Sequence, residues 1–210
     1  EAGYPAAKWV SAMLKNGVES FYQYKSGEKI AVYDVVKGKY VKLKRLENVV
    51  MLRGTKVVSQ NAGATLRDMG DGVACLEFHT QVNSLDEDGM KMTVEAFDRV
   101  ENFDGLVIGN EGENFSAGAN LFMMVVGAQQ GMWDMLNGAV RKLQDMNMRM
   151  RYPPKPIVVA PAGLTLGGGC EITMHASRVV ASAETYIGLV ELGVGVIPAG
   201  AGTKEMLRRI

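Results

Sequence analysis

The chain has 210 residues, with 23 acidic and 23 basic side chains. This balance argues against nucleic acid or an anionic membrane surface as a partner. The cysteines, Cys75 and Cys170, form neither a disulfide framework nor a metal-ligand spacing, so we expect a reducing, cytoplasmic setting without a metal. No apolar run approaches the roughly 20 residues that a membrane span needs, so no membrane partner is expected.

Residues 1–60 are expected to form a small α+β connector. The stretch PAAKWVSAMLKNG has apolar residues on one helical face and Gly17 as a stop signal. Two alternating arms around Lys37-Gly38 predict a hairpin, and ENVVMLRG predicts one more short helix. Such a stretch buries little by itself. The chain starts at Glu1 and stops within an apparent helix, so we expect it to be a piece of a longer polypeptide.

From residue 61 to residue 210 the pattern changes to alternating strands and helices. Two strands flank the turn Gly70-Asp71-Gly72, and a helix follows that is capped by Ser84 or Asp86. GLVIGN and KPIVVAPAG predict buried strands, and WDMLNGAVRKLQDMNMRM between them predicts a long amphipathic helix. This alternation indicates an α/β fold.

Two glycine-containing loops, NFSAGANL (114–121) and TLGGGCE (165–171), each follow a predicted buried strand and lead to a helix. Each can present an unpaired backbone N–H at a helix start. If the strands are neighbours, two N–H groups could converge on one oxygen as an oxyanion hole. A turn, a packing contact or a phosphate cradle are the alternatives, although the spacing matches neither a dinucleotide fingerprint nor a P-loop.

Two glutamates stand near these loops. Glu171 is either a carboxylate favoured by the helix dipole or a catalyst. Glu191 lies in the apolar run YIGLVELGVGVIP, where a buried carboxylate is costly unless it is paired or used. His79 and His175 lie on different elements, without a triad or ligand pattern, and are predicted to be structural.

The motifs NFSAGANL, KPIVVAPAGLTLGGGCEI and YIGLVELGVGVIPAGAGTKEML together resemble the enoyl-CoA hydratase/isomerase (crotonase) superfamily, in its order and spacing. The resemblance runs from about Ala64 to the end. It implies that residues 61–210 form a crotonase-type ββα spiral, truncated at its C-terminal helices.

A narrower resemblance rests on DMGDGVACLEFHT, NFDGLVIGNEGENFSAGANL and GLVELGVGVIPAGAGTKE. These stretches look like the hydratase-type part of bacterial fusion proteins in which an NAD-dependent 3-hydroxyacyl-CoA dehydrogenase precedes the crotonase-like domain. Residues 1–60 then resemble the connector after that dehydrogenase. NAD is expected only in the dehydrogenase region, and no cofactor is expected in this chain.

The family pattern implies specific site residues. It puts the oxyanion N–H groups on Ala119 and Gly168 and the two catalytic carboxylates on Glu171 and Glu191. Glu171 would handle the attacking water, and Glu191 would deliver a proton to C2 of an acyl-CoA thioester. The rest of the parent polypeptide is expected as a partner, and a homo-oligomer is an option that the sequence leaves open. Substrate contacts are expected from the flanking residues Ala117, Gly118, Leu121, Gly167 and Gly169.

Some features depart from the family pattern or stay open. The loop Phe78–Ser84 lacks an Asn-Arg-Pro-like stretch, so its contacts with coenzyme A stay open, and Asn120 replaces a common aspartate, with a local role expected. The segment FMMVVGAQQGMWDML could wall the acyl chain or be ordinary core. Double-bond isomerisation, which needs mainly one carboxylate, and a non-catalytic acyl-CoA-binding or assembly module are the alternative functions. The presence of both glutamates favours a hydratase.

Overall fold

The computed structural model describes residues 6–25, 28–44 and 49–209. The chain divides into two compact units, Glu1–Gly54 and Thr55–Ile210. The division falls a few residues before the position near 60 that the sequence predicts, because Lys56–Gln60 is a strand that pairs with Ala64–Asp68. The assignment of the first unit as a connector stays a prediction.

The described residues of the first unit form one helix and one small antiparallel sheet. The predicted helix and the hairpin around Lys37-Gly38 are confirmed. Of the predicted third element, residues 47–48 lie outside the described residues, and the described part ends in a 3-10 turn at Leu52–Gly54. The elements are α1 (Lys8–Lys15), β1 (Tyr22–Lys25), β2 (Glu28–Asp34) and β3 (Lys39–Lys42), with the sheet order β1-β2-β3.

The second unit is built on a six-stranded sheet. Its strands are β4 (Lys56–Gln60), β5 (Ala64–Asp68), β6 (Val73–Phe78), β7 (Gly105–Gly109), β8 (Ile157–Ala160) and β10 (Arg178–Val179), in the order β10-β8-β7-β6-β5-β4. The strands β4, β5 and β6 are antiparallel neighbours, whereas β6, β7, β8 and β10 run parallel. A separate parallel pair consists of β9 (Leu164–Leu166) and β11 (Tyr186–Gly188).

Five helices belong to this unit. They are α2 (Glu87–Arg99), α3 (Leu121–Gln129), α4 (Trp133–Arg151), α5 (Gly168–His175) and α6 (Gly202–Arg209). Of the two predicted caps for α2, Asp86 is the one used, since its carboxylate accepts the Gly89 N–H at 2.8 Å. Within the described ranges, no helix combines the length and the apolar character that crossing a membrane requires.

The core lies on one face of the sheet. The strand register places an apolar side chain from each of four neighbouring strands in one row: Leu66, Leu76, Ile108 and Val159. All four are at most 1% exposed, and α2, α4 and α5 pack their own apolar residues into the same cluster. Each such side chain contributes about 1.5–3 kcal/mol by leaving water. This rigid layer fixes where the loops at the sheet edge emerge.

The two glycine loops leave the same edge of the sheet. The strands β7 and β8 are parallel neighbours, with Gly109 opposite Ala160, so the chain leaves both strands on the same side. An isolated bridge between Ser116 and Thr165 then joins the first loop to β9. The condition stated for a shared oxygen site, that the two strands are adjacent, is therefore met.

Candidate active site

The two loops touch through their backbones at Gly118. Its φ is +89°, and a Cβ there would lie 2.9 Å from the Leu166 carbonyl oxygen and 3.3 Å from the Gly168 nitrogen. The Gly118 carbonyl accepts the Leu85 N–H at 2.8 Å, which anchors the first loop to the segment before α2. Only glycine allows this approach, because any side chain at this position would separate the two loops.

Two backbone N–H groups are unpaired at this junction. Gly168 is the first residue of α5, where N–H groups lack an intrahelical acceptor. A Cβ on Gly168 would lie 3.8 Å from the Ala119 nitrogen, so the two donors belong to one small region. Across the described residues, neither N–H donates to another protein group. Such a pair can stabilise a negative charge that develops on a ligand oxygen.

Close contacts explain why glycine occupies the positions of the triplet Gly167-Gly168-Gly169. Gly167 has φ +51°, and a Cβ there would lie 3.2 Å from Glu191 Oε1. A Cβ on Gly169 would lie 2.8 Å from the Ser116 Cβ and 3.0 Å from the Ser116 carbonyl oxygen. The packing-contact interpretation is therefore correct for Gly169 and also for Gly168, where a Cβ would lie 2.9 Å from Leu85 Cδ1, although Gly168 carries a free donor as well.

Glu171 is a buried carboxylate in the first turn of α5. Its side chain is only 2% exposed, and Oε1 accepts the Gly202 N–H at 2.8 Å. Burial raises the pKa of Glu171 to about 7, with the negative charge of Glu191 acting in the same direction and the Gly202 N–H opposing it. A carboxyl group with this pKa can exchange a proton near neutral pH.

Glu191 begins a 3-10 turn, Glu191–Val194, and its side chain points back to the glycine triplet. Its Oε2 atom is buried and has no hydrogen-bond partner among the described residues. A buried carboxylate oxygen without a partner is unfavourable unless a ligand or water satisfies it. The structure thus brings both predicted glutamates to the loop that carries the Gly168 N–H.

An open cavity of about 590 Å³ lies beside Ala119. Of the predicted substrate-binding residues, Ala117 and Leu121 line it, whereas Gly118, Gly167 and Gly169 are buried in the loop packing. The cavity's other walls come from Thr80, Gln81, Val82, Ser84, Asp86 and Asn120. The loop Phe78–Ser84 therefore borders the cavity even though its sequence departs from the family pattern.

The helix α3 follows Ala119 directly and is apolar but poorly covered. Asn120 has the local role expected of it, since its side chain accepts the Met123 N–H at the start of α3. Phe122 is 73% exposed, and only Gly127 is buried in this helix. The core interpretation of this segment is therefore wrong for α3, which presents an apolar surface next to the candidate site.

The sequence did not indicate that several further residues contact the site. Gly200 and Gly202 pack against the Glu171 carboxylate, and Asn147 of α4 donates to the Gly200 carbonyl at 2.9 Å. The signal for the two glycines was PAGAG at a helix start, but nothing in the pattern assigned it to Glu171. His175 is buried, with Nδ1 donating to the Glu171 carbonyl at 2.7 Å, whereas His79 bonds Thr65 Oγ1.

Both cysteines are buried and unpaired. Burial raises the pKa of the Cys170 thiol to about 11, and the nearby charges of Glu191 and Glu171 add to this effect. A thiol with this pKa is a poor nucleophile near neutral pH. In the described part of the chain, no group of three or more histidine, cysteine or acidic side chains could hold a metal ion.

Comparison with known proteins agrees with this geometry. The enoyl-CoA hydratase/isomerase family model matches residues 72–210. A Bacillus subtilis protein named "Probable 3-hydroxyacyl-CoA dehydrogenase" is 41% identical over 203 residues, which cover 94% of this chain and 25% of that protein. A Psychrobacter cryohalolentis protein named "Fatty acid oxidation complex subunit alpha" is 29% identical over 160 residues, covering 73% and 22%. The chain thus spans about a quarter of the length of these relatives.

Solved structures support the fold. The crystal structure of an enoyl-CoA hydratase from Polaromonas sp. JS666 matches with a TM-score of 0.64 and 22% identity, over 74% of this chain and 58% of that one. At this level of identity the likeness establishes the fold alone. The predicted α/β fold of the crotonase type is confirmed for the part of the chain that this match covers.

Proposed function

Because this chain belongs to the enoyl-CoA hydratase/isomerase family, we propose that it adds water to the C2=C3 double bond of 2-enoyl-CoA thioesters in fatty-acid β-oxidation. The observation that carries the proposal is the pair of glutamates beside two unpaired backbone donors. Glu171 and Glu191 interact electrostatically and flank the loop of Gly168. Hydration needs all of these groups at one place.

The role of each group follows from the charges that develop during hydration. Attack of water at C3 of a conjugated thioester builds enolate charge on the carbonyl oxygen, and the N–H groups of Ala119 and Gly168 would stabilise that charge. Glu171 would take a proton from the attacking water, and Glu191 would give a proton to C2. The product is a 3-hydroxyacyl-CoA, and the carboxyl groups regain their starting states when they exchange a proton with solvent.

The surroundings of Glu171 suit a general base. Burial favours its neutral form and the Gly202 N–H favours its ionised form, so its pKa of about 7 lies close to the operating pH. A base with a pKa near the ambient pH is both ionised often enough and basic enough to accept a proton.

The cavity and α3 suggest how the substrate lies. We assign the cavity beside Ala119 to the thioester and coenzyme A portion, and the apolar surface of α3 to the acyl chain. Phe122 and Met123 are more than half exposed, which an acyl chain would cover favourably. Hydration itself needs no redox cofactor. We further propose that the chain works in the cytoplasm within a multifunctional polypeptide whose NAD-dependent dehydrogenase part oxidises the 3-hydroxyacyl-CoA product.

Glutamine variants in the full-length protein test the proposal with crotonyl-CoA. Glu171→Gln and Glu191→Gln should each lower kcat for hydration by on the order of a hundredfold or more, while binding of the thioester persists. If the protein were an isomerase, Glu191→Gln would abolish double-bond migration and Glu171→Gln would be mild. If neither change affected any turnover, the chain would be a binding module.

A further inference from the structure

A turn formed by Gly200, Ala201 and Gly202 covers the Glu171 carboxylate, and the helix α4 holds this turn. We propose that Asn147 of α4 is a positioning residue for Glu171. Its side-chain amide fixes the Gly200 carbonyl and thereby keeps the Gly202 N–H directed at the carboxylate. This inference rests on the proposed function, because it concerns the same carboxylate.

The turn fits the carboxylate closely. Glu171 Oε1 accepts the Gly202 N–H at 2.8 Å, and a Cβ on Gly202 would itself lie only 2.8 Å from that oxygen. A Cβ on Gly200 would clash with Oε2 of the same carboxylate. Two glycines are therefore required, and a small rotation of the turn would either break the hydrogen bond or push backbone atoms into Glu171.

The residue between the two glycines is held in an unfavourable conformation. Ala201 has φ +76°, in the left-handed region that residues with a Cβ rarely adopt. The carbonyl before it, that of Gly200, accepts from Asn147 Nδ2 at 2.9 Å. The carbonyl of Ala201 itself accepts the Glu205 N–H at 3.1 Å, in the first turn of α6. Hydrogen bonds on both sides of Ala201 thus oppose its relaxation to a negative φ.

Asn147 has no solvent-exposed surface, although it is polar. Its neighbours on the buried face of α4, Met146 and Met150, are apolar core residues. The atom that faces the Gly200 carbonyl must be the amide nitrogen, because a carbonyl oxygen accepts only. The other atom, Oδ1, has no partner among the described residues. A buried amide with one unsatisfied atom is unfavourable for packing alone, and the bond to the turn explains its presence.

Gln144, one helical turn earlier, provides a matched comparison. Its Nε2 atom donates to the Ala199 carbonyl at 2.7 Å, so it makes the same kind of bond to the neighbouring peptide. Gln144 is exposed, and water can replace this bond when the side chain is removed. Its acceptor also lies one residue further from Ala201. We therefore expect Gln144 to be dispensable for the orientation of the turn.

The titratable groups around Glu171 can be named. Within the described residues, the charge that acts on Glu171 is that of Glu191. On α5 itself, the Cys170 thiol is adjacent in sequence, and His175 bonds the Glu171 carbonyl. From α4 and the turn come amide groups that do not titrate. Loss of the Gly202 N–H removes a donor that favours the ionised carboxylate, so it should move the acidic limb of the pH–rate profile to higher pH.

The test measures kcat and KM for crotonyl-CoA hydration against pH in the full-length protein. Asn147→Leu should lower kcat at neutral pH by on the order of tenfold, with a smaller change in KM, and should move the acidic limb to higher pH. Gln144→Leu should leave the limb at the wild-type pH. Adding Ala201→Gly to Asn147→Leu should return the limb towards the wild-type position, because glycine adopts φ +76° without strain. A loss of stability alone would not move the limb.

Each result of these measurements either supports or refutes the positioning role of Asn147. If Asn147→Leu keeps the wild-type limb, the positioning role is wrong. If that variant does not fold, Asn147→Ser, whose shorter side chain cannot reach the Gly200 carbonyl, is judged by the same criterion. Glu171→Gln distinguishes a failure of the proposed hydratase function from a failure of the positioning role of Asn147. If it keeps the wild-type rate, or if the wild type does not hydrate the substrate, the proposed function fails and the positioning role fails with it. If Glu171→Gln is inactive and Asn147→Leu matches Gln144→Leu, only the positioning role fails.

Discussion

Replacing Glu171 by glutamine should stabilise the protein at alkaline pH. The pKa of Glu171 rises from its ordinary value of 4.5 to about 7, mainly because the side chain is only 2% exposed. One pKa unit corresponds to about 1.4 kcal/mol, so keeping this carboxylate ionised in the folded state costs about 3 kcal/mol. Glutamine has nearly the same shape and carries no charge, so it avoids this cost.

The pH dependence has a definite direction. A carboxyl group whose pKa is higher in the folded state binds more protons there than in the unfolded state. Its contribution to the free energy of unfolding is fully present below about pH 4.5 and is lost as the pH rises through about 7. The stability gained by Glu171→Gln should therefore be smallest at pH 4.5 and reach about 3 kcal/mol at pH 8.

Hydrogen–deuterium exchange measured by mass spectrometry can measure this pH-dependent gain in stability around α5 in the full-length protein. Peptides from α5 report the free energy of opening at each pH, and the variant is compared with the wild type at the same pH. Glu205→Gln serves as a control of opposite sign. Burial alone would raise the pKa of Glu205, but Lys204, His175 and Arg151 outweigh it and lower that pKa. This control should therefore be less stable than wild type by a constant amount from pH 5 to pH 8, because a lowered carboxyl pKa changes the stability only as the pH falls below about 4.5. A difference between Glu171→Gln and wild type that stays constant from pH 5 to pH 8 would refute the reasoning.

Three further results are expected. Gly168→Pro removes the Gly168 N–H at the first position of α5 and should lower kcat/KM for hydration by on the order of a hundredfold; an unchanged value in the folded variant would exclude this N–H as an oxyanion donor. Asp86→Ala removes the acceptor of the Gly89 N–H and should lower the free energy of unfolding by about 1 kcal/mol in urea titrations, whereas an exposed substitution on α2 should not. Cys170, with its thiol pKa raised to about 11, should react with iodoacetamide at pH 7.5 only on unfolding; rapid labelling of the folded protein would contradict its burial.

The parts of the site that depend on local sequence could be predicted. A buried strand followed by a small-residue loop and a helix start occurs twice, so one donor from each loop could be expected at the same site once β7 and β8 pair, and the family resemblance assigned these donors to Ala119 and Gly168. The local sequence likewise limited the N-cap of α2 to two candidates, Ser84 and Asp86. Family resemblance then selected the two glutamates from among several carboxylates in the chain.

The support of Glu171 could not be predicted, because it comes from distant parts of the chain. Gly202 lies 31 positions after Glu171, and Asn147 lies 53 positions before Gly200. Neither separation leaves a periodic signal in the sequence. The sequence could not decide whether the apolar run of α3 is core or a wall of the substrate site, because an apolar helix is usually buried, whereas this helix is largely exposed next to the candidate site.

The central claim is that the chain adds water to a 2-enoyl-CoA, and isotope incorporation tests it most directly. The full-length protein is incubated with crotonyl-CoA in H₂¹⁸O without NAD, and the thioester products are analysed by mass spectrometry. The account predicts 3-hydroxybutyryl-CoA that carries one ¹⁸O at C3, formed by the wild type and strongly reduced in Glu171→Gln. Recovery of crotonyl-CoA with no hydrated product, or of a product with only a migrated double bond, would contradict it.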